Sequence, residues 1–182
     1  STAWENHARQ SVEVMKSGKH VFIEVPAAVT LEDCWSLVDT AERTGKHCMM
    51  LENCCYGHEE LFCLNLCRLG VLGELLHGEG AYIHELRGQM EHVQSEFLMG
   101  IWRTQHFVNR NGNLYPTHGL GPVAQYMGIN RGDRFEYLTA VASQARGREL
   151  YAKKKFPPDQ RWNKIAKWNC GDINTTLIKT AL

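Results

Sequence analysis

The sequence predicts an α/β fold that runs into an α+β one. Three observations predict it. Over roughly the first seventy residues the apolar pattern alternates between helical and strand-like spacing; after Gly73 the rhythm changes to longer extended stretches; and glycine or proline marks most of the changes. With 182 residues, 43% hydrophobic and 22% charged, the chain can hold one core or parts of two domains, and a folded globular protein is expected.

The elements follow in order. Glu5 to Lys16 sets Ala8, Val12 and Met15 on one helical face and stops at Gly18, after which Lys19 to Glu24 reads as a short buried strand. Thr30 caps the next helix with Asp33 three residues on, Leu31, Cys34, Trp35, Val38 and Ala41 form its expected buried stripe, and Gly45 ends it. Lys46 to Glu52 is a second strand and His58 to Leu69 a third helix, stopped by Gly70 and Gly73. Beyond, Glu74 to Arg87 is expected to be an extended strand, Gln89 to Met99 is polar and ambiguous, and Pro122 to Met127 is helical. Arg134 to Ala145 is a long strand, Lys153 to Pro158 a basic loop broken by proline, and Asp172 to Ala181 a final strand.

Lys plus Arg and Asp plus Glu both number 20, so no general electrostatic attraction to nucleic acid or to an acidic membrane is expected, and a neutral ligand fits at least as well. No apolar run approaches the roughly 20 residues that span a bilayer. The opening Ser1-Thr-Ala-Trp-Glu-Asn-His lacks the regions of a secretion signal and begins without methionine in a loop before a helix, so the chain reads as a fragment. A soluble protein is expected, cytoplasmic or exported already folded. The seven cysteines form neither a CxxC pair nor a compact framework, and no HExxH occurs, so buried free thiols are expected and no metal site. His58-Glu59-Glu60 lacks a second histidine at helical spacing and reads as a solvated helix start.

The most chemically suggestive stretch is Asn109-Arg-Asn-Gly-Asn-Leu-Tyr-Pro-Thr-His-Gly-Leu-Gly-Pro122, where Tyr115 and His118 lie three apart between glycines and prolines. Imidazole exchanges a proton near neutral pH and phenol offers one hydrogen bond, which suits chemistry on a polyol; a merely structured connection is the competing reading. Glu24, Asn53 and Tyr82 end or interrupt apolar runs, and residues at strand carboxyl ends of an α/β sheet face its ligand crevice. The GxGxxG turn that would seat a pyrophosphate is absent.

Several strings, Gly18-Lys-His-Val-Phe-Ile-Glu-Val-Pro-Ala-Ala, Leu31-Glu-Asp-Cys-Trp, Met50-Leu-Glu-Asn-Cys-Cys-Tyr, Gly73-Glu-Leu-Leu-His-Gly, Trp102-Arg-Thr, Arg110-Asn-Gly-Asn-Leu-Tyr-Pro-Thr-His-Gly-Leu-Gly-Pro, Ile129-Asn-Arg-Gly-Asp-Arg and Gly171-Asp-Ile-Asn-Thr-Thr, resemble the NAD-dependent α-N-acetylgalactosaminidase family of glycoside hydrolases, within the Gfo/Idh/MocA oxidoreductase-like superfamily. The resemblance spans nearly the whole chain. It implies the end of a Rossmann-type dinucleotide-binding domain at residues 1–60, then an incomplete α+β domain with a mixed or antiparallel sheet at residues 61–182 that binds substrate.

The resemblance further implies that Trp4, Glu5, Asn6 and His7 lie beside NAD, that Glu24, Val25 and Asn53 contact it, and that Tyr115, Pro116, Thr117 and His118 adjoin both NAD and sugar. Tyr82, Arg103 and Tyr115 would hold the sugar; His118 would be the active-site histidine, with Tyr56 a further catalytic candidate. The first motif departs from the family's Thr-Pro-Trp-Glu-Trp-His at Ala3 and Asn6. The implied partner is a small-molecule or glycan substrate, and a homo-oligomer is compatible with it.

The implied chemistry is oxidation, elimination, addition and reduction, an exception to the usual carboxylate pair of glycosidases. Hydride leaves sugar carbon 3 for NAD, the ketone acidifies the proton on carbon 2, a base removes it as the aglycone departs, and water and hydride then return. An NAD(P)-dependent sugar oxidoreductase and a non-catalytic fragment of such an enzyme are the alternatives. Many of those oxidoreductases carry Glu-Lys-Pro with a lysine that assists hydride transfer, whereas Glu24-Val25-Pro26 places a valine there, and valine moves no proton.

Overall fold

The computed structural model describes residues 2–93 and 99–182. Two compact units form, one of Ser1–Tyr82 with Tyr115–Met127, the other of Ile83–Leu114 with Gly128–Leu182.

In the first unit, helix α1 (Trp4–Lys16) buries Trp4, His7, Ala8, Ser11 and Met15, a single stripe at helical spacing. Strand β1 (Val21–Ile23) pairs in parallel with β2 (Cys48–Met50), Val21 opposite Cys48 and Ile23 opposite Met50. Helix α2 (Leu31–Thr44) makes the crossover that a parallel pair requires. Its ends are those the sequence predicts: the Thr30 hydroxyl accepts from Asp33 N–H at 3.1 Å, and Gly45 closes it in the left-handed conformation with φ 63°. Ala8, Met15 and Leu37 are the centre of the core, with Val12, Val21, Ala27, Ala28, Ala41 and Cys48 packed around them.

The stripe expected on α2 is a correction. Leu31 is 68% exposed and Trp35 60%, Val38 and Cys34 are also exposed, and only Ala41 of the five packs on the core; Leu37 and Thr40 are the buried residues. Apolar spacing identifies a helix, but the face it buries is set by the neighbour it meets, here α1.

A short 3₁₀ turn (Asn53–Cys55) follows β2, then α3 (His58–Arg68) and, after the second unit's first segment, α5 (Thr117–Tyr126). Helix α5 starts five residues before the Pro122 start expected, because Gly119 and Gly121 are weak helix formers that hide it in the sequence. Residues 74–86 are irregular rather than a strand, a second correction: among the described residues no strand pairs with them, and Gly80 instead meets the backbone of Gly119.

In the second unit a 3₁₀ segment (Arg87–Glu91), α4 (Met99–Asn109), α6 (Gly147–Lys155) and the segment after α6 supply the core of Met90, Val108, Ala152, Trp162 and Trp168, and β3 (Phe135–Ala142) with β4 (Asn174–Thr180) makes a sheet. The Trp162 indole N–H donates to Met90 O at 3.1 Å, which satisfies the one polar atom of a buried ring. β3 and β4 are antiparallel, Leu138 opposite Ile178, with an irregularity between Phe135 and Tyr137. Helix α4 falls where no element is expected from the sequence. The ambiguous Gln89 to Met99 stretch lies partly outside the described residues.

Lys153 to Lys155 form the last turn of α6 rather than a loop, a third correction. Cations there complement the helix C-terminus, and Lys153 pairs with Glu149 one turn earlier at 2.6 Å. All seven cysteines are free thiols, as expected, but only Cys170 is buried. Among the described residues no helix is long and apolar enough to cross a membrane.

Candidate active site

The parallel pairing of β1 and β2 gives their carboxyl ends one common edge, from which Glu24 and Val25 leave β1 and Glu52 and Asn53 follow β2. Glu52 caps the 3₁₀ turn, its Oε1 accepting from Cys54 N–H at 3.0 Å. Helix α5 closes on that turn through two glycines. A Cβ on Gly121 would lie 2.9 Å from Cys55 Sγ and 3.0 Å from Glu52 Cγ, and one on Gly119 would lie 2.8 Å from Ala81 N and from Gly80 C. Absent side chains on both sides let the first turn of α5 settle between residue 52 and the loop that carries Tyr82.

His118 is thereby brought onto Glu52. Its Nδ1 lies 2.6 Å from Glu52 Oε1, a charge-assisted bond between a largely covered imidazole and a carboxylate only 5% exposed. Aromatic rings enclose the imidazole: Tyr115 edge-on with centroids 4.7 Å apart, and Tyr82 edge-on at 5.2 Å. Tyr82 and Tyr115 meet at 5.1 Å, and buried Trp4 stacks on Tyr115 at 5.5 Å. Residues far apart in sequence thus make one contiguous cluster.

Burial pushes the Glu52 carboxyl towards its neutral form, but hydrogen bonding outweighs it. Thr117, Cys54 N–H and His118 together hold the carboxyl below the usual carboxylate range, so it is ionised at neutral pH. Glu52 Oε2 and the Thr117 hydroxyl are both buried without a hydrogen-bond partner among the described residues, so the formed bonds from Cys54 N–H and His118 carry the lowering. Burial, reinforced by the Glu52 charge, pushes the Cys54 and Cys55 thiols up and keeps them protonated.

The other residues singled out in the sequence are placed as follows. Pro116 precedes α5 and its carbonyl accepts from Leu120 N–H at 2.9 Å. His7 is 6% exposed, and its two ring nitrogens face Pro26 O at 2.8 Å and Thr2 O at 3.2 Å, so it fastens the turn after β1. Asn6 accepts from Arg9, and Glu5 is exposed. Val25 is buried, whereas Glu24 and Asn53 are exposed on the strand-end edge. Tyr56 follows the 3₁₀ turn and is 55% exposed. Arg103 lies in α4, within the second unit.

Glu52 is the residue that sequence reasoning passed over. The signal was there, a carboxylate at the carboxyl end of β2 directly before Asn53 in Met50-Leu-Glu-Asn. Glu52, Cys54 and His118 also offer metal-ligand atoms within 4.8 Å of one another. Two ligands on one tetrahedral ion with bonds of about 2.1 Å stand roughly 3.4 Å apart, so the 2.6 Å imidazole–carboxylate contact is a hydrogen bond that would have to open to admit a cation.

Solved structures share this architecture. The chain superposes on an oxidoreductase domain protein from Kribbella flavida with a TM-score of 0.66 at 16% identity, covering 99% of this chain and 44% of that one. An inositol dehydrogenase homolog complexed with NADH and myo-inositol, from Azotobacter vinelandii, gives 0.66 at 17% identity, covering 99% of this chain and 40% of that one. Residues 1–52 match the oxidoreductase family with its NAD-binding Rossmann fold. The fold is therefore that of the Gfo/Idh/MocA type of oxidoreductase.

Residues 56–182 match the C-terminal domain of glycosyl hydrolase 109. A glycosyl hydrolase family 109 protein of Shewanella sp. (strain W3-18-1) is 63% identical over 180 residues, and a glycosyl hydrolase family 109 protein 1 of Shewanella sp. (strain ANA-3) is 61% identical over the same length. Each alignment covers 99% of this chain and 39% of the relative, so the chain spans about two fifths of the length of these relatives. The chain belongs to the glycosyl hydrolase 109 family.

Proposed function

We propose that the protein releases terminal α-N-acetylgalactosamine by NAD-dependent oxidation, elimination, addition and reduction. The observation that carries this reading is the imidazole of His118, bonded at Nδ1 to a buried carboxylate and set against Tyr115 and Tyr82. Such a group exchanges protons near neutral pH, as abstraction next to a sugar ketone requires.

The residues fit NAD by their chemistry and position. Glu24 and Asn53 offer exposed polar side chains on the carboxyl edge of a parallel strand pair, where ligands of such sheets bind. Trp4 supports the Tyr115 ring, and His7 holds the turn that follows Val25. When bound, NAD supplies reversible removal of hydride from carbon 3 of the sugar, which acidifies the proton on carbon 2.

His118 takes that proton and returns it, while Tyr115 and Tyr82 present ring faces and hydroxyls to the sugar. Tyr56 is the second acid–base candidate. The division into a cofactor part at residues 1–60 and a substrate part at residues 61–182 is supported by the two family matches meeting between residues 52 and 56.

A buried Val25 supplies no proton carrier where many dehydrogenases use lysine, so the proton that leaves the carbon 3 hydroxyl as the hydride departs is assigned to Tyr56, which returns it in the closing reduction. The test is incubation of the intact protein with a chromogenic α-N-acetylgalactosaminide, with and without NAD. Release of the chromophore that depends on NAD but leaves no net NADH is expected. NADH accumulating in proportion to sugar would instead identify a sugar dehydrogenase.

A further inference from the structure

We propose that Glu52 is the positioning residue of this site: its carboxylate keeps a proton on Nδ1 of His118 and so leaves Nε2 as the nitrogen that exchanges protons with the substrate. The inference rests on the reading of His118 as the acid–base group and assigns its working atom. A neutral imidazole has one N–H and one bare nitrogen, and an ionised carboxylate only accepts. The 2.6 Å contact therefore requires a donor at Nδ1, since the other tautomer would set a lone pair against a negative charge.

Glu52 is itself held for this task. Cys54 N–H fixes Oε1 at 3.0 Å, the residue caps the 3₁₀ turn, and Gly121 leaves room beside its Cγ. Among the described residues the titratable groups that face the imidazole are Glu52 and Cys54 from the turn, Tyr82 from the loop and Tyr115 from the segment before α5. Glu52 is the carboxylate of this group, and it is placed to stabilise the imidazolium formed when Nε2 takes a proton. A carboxylate that only capped the turn would need no imidazole at this distance.

Two measurements test the assignment. Nitrogen-15 NMR of the histidine rings in the wild-type protein should find neutral His118 protonated on Nδ1; a proton on Nε2 overturns the proposal. In Glu52→Gln, kcat should fall on the order of 100-fold with KM for the glycoside little changed. The acidic limb of its pH profile should move to lower pH, because the imidazolium has lost its carboxylate. Wild-type kcat with an unmoved limb overturns the proposal. Should the variant fail to fold, the wild-type tautomer decides. Absence of glycosidase activity in the wild-type protein counts against the functional reading and leaves the tautomer result to stand separately.

Discussion

Gly119 and Gly80 meet backbone to backbone: a Cβ built on Gly80 would lie 2.3 Å from Gly119 O, well inside van der Waals contact. Neither strand pairing nor a side chain intervenes, so this contact sets how closely α5, and with it His118, approaches the Tyr82 loop. Gly80→Ala or Gly119→Ala should therefore cost about 1–3 kcal/mol through overpacking and lower activity together with stability. Gly121→Ala meets side-chain atoms, Cys55 Sγ and Glu52 Cγ, rather than backbone, so it should cost less stability while shifting Glu52 from His118. Urea denaturation of the three variants checks the ranking; equal midpoints for all three and the wild type would contradict it.

Protonation of Glu52 should loosen the fold. Its carboxyl is held below the ordinary range, so the stability it contributes is fully present above its unfolded pKa of about 4.3 and is lost as pH falls through the lower folded value. The wild type should exceed Glu52→Gln in urea midpoint near pH 6, and the difference should shrink steadily below pH 4. A difference independent of pH would show that the carboxylate charge is not what stabilises.

His7 should be structural in effect wherever it acts in function. Removing the ring in His7→Ala takes the partner from Pro26 O, and an orphaned polar group of that kind costs about 1–3 kcal/mol. Thermal unfolding should fall accordingly, and NAD affinity should weaken as the turn beyond Val25 loosens. An unchanged melting temperature would separate His7 from the fold.

His118→Ala and Tyr115→Phe should slow turnover while the far-ultraviolet circular dichroism stays that of the wild type. General acid–base groups contribute about 10²–10⁴-fold, and a loss of that size is expected for His118→Ala, with a smaller one where only the phenol hydroxyl is gone. Wild-type rates in both variants would remove the motif from the chemistry.

What was legible in the sequence is what depends on local chemistry. Thr30 as a cap, Gly45 as a left-handed stop and the alternation of the first helices and strands follow from neighbours a few residues apart. The Tyr115 to His118 motif was visible because glycine and proline framed it. The exposed face of α2 was not, since Leu31 and Trp35 carry the same apolar signal as buried residues and only the position of α1 decides which side is covered. Residues 74–86 had strand composition but, among the described residues, no strand to pair with. Glu52 escaped notice for a related reason: a carboxylate becomes a site residue by the imidazole it meets, and that imidazole is 66 positions away.

The cluster that holds the imidazole draws on the end of β2, the loop after α3 and, through Trp4 behind Tyr115, on α1. Each pairing closes a long loop, and that entropy is recovered only when the whole first unit has assembled. Catalytic competence should accordingly appear late in refolding, in step with tertiary rather than helical signals, and heat should extinguish it in the same cooperative transition that melts the packing of Met15 against Leu37.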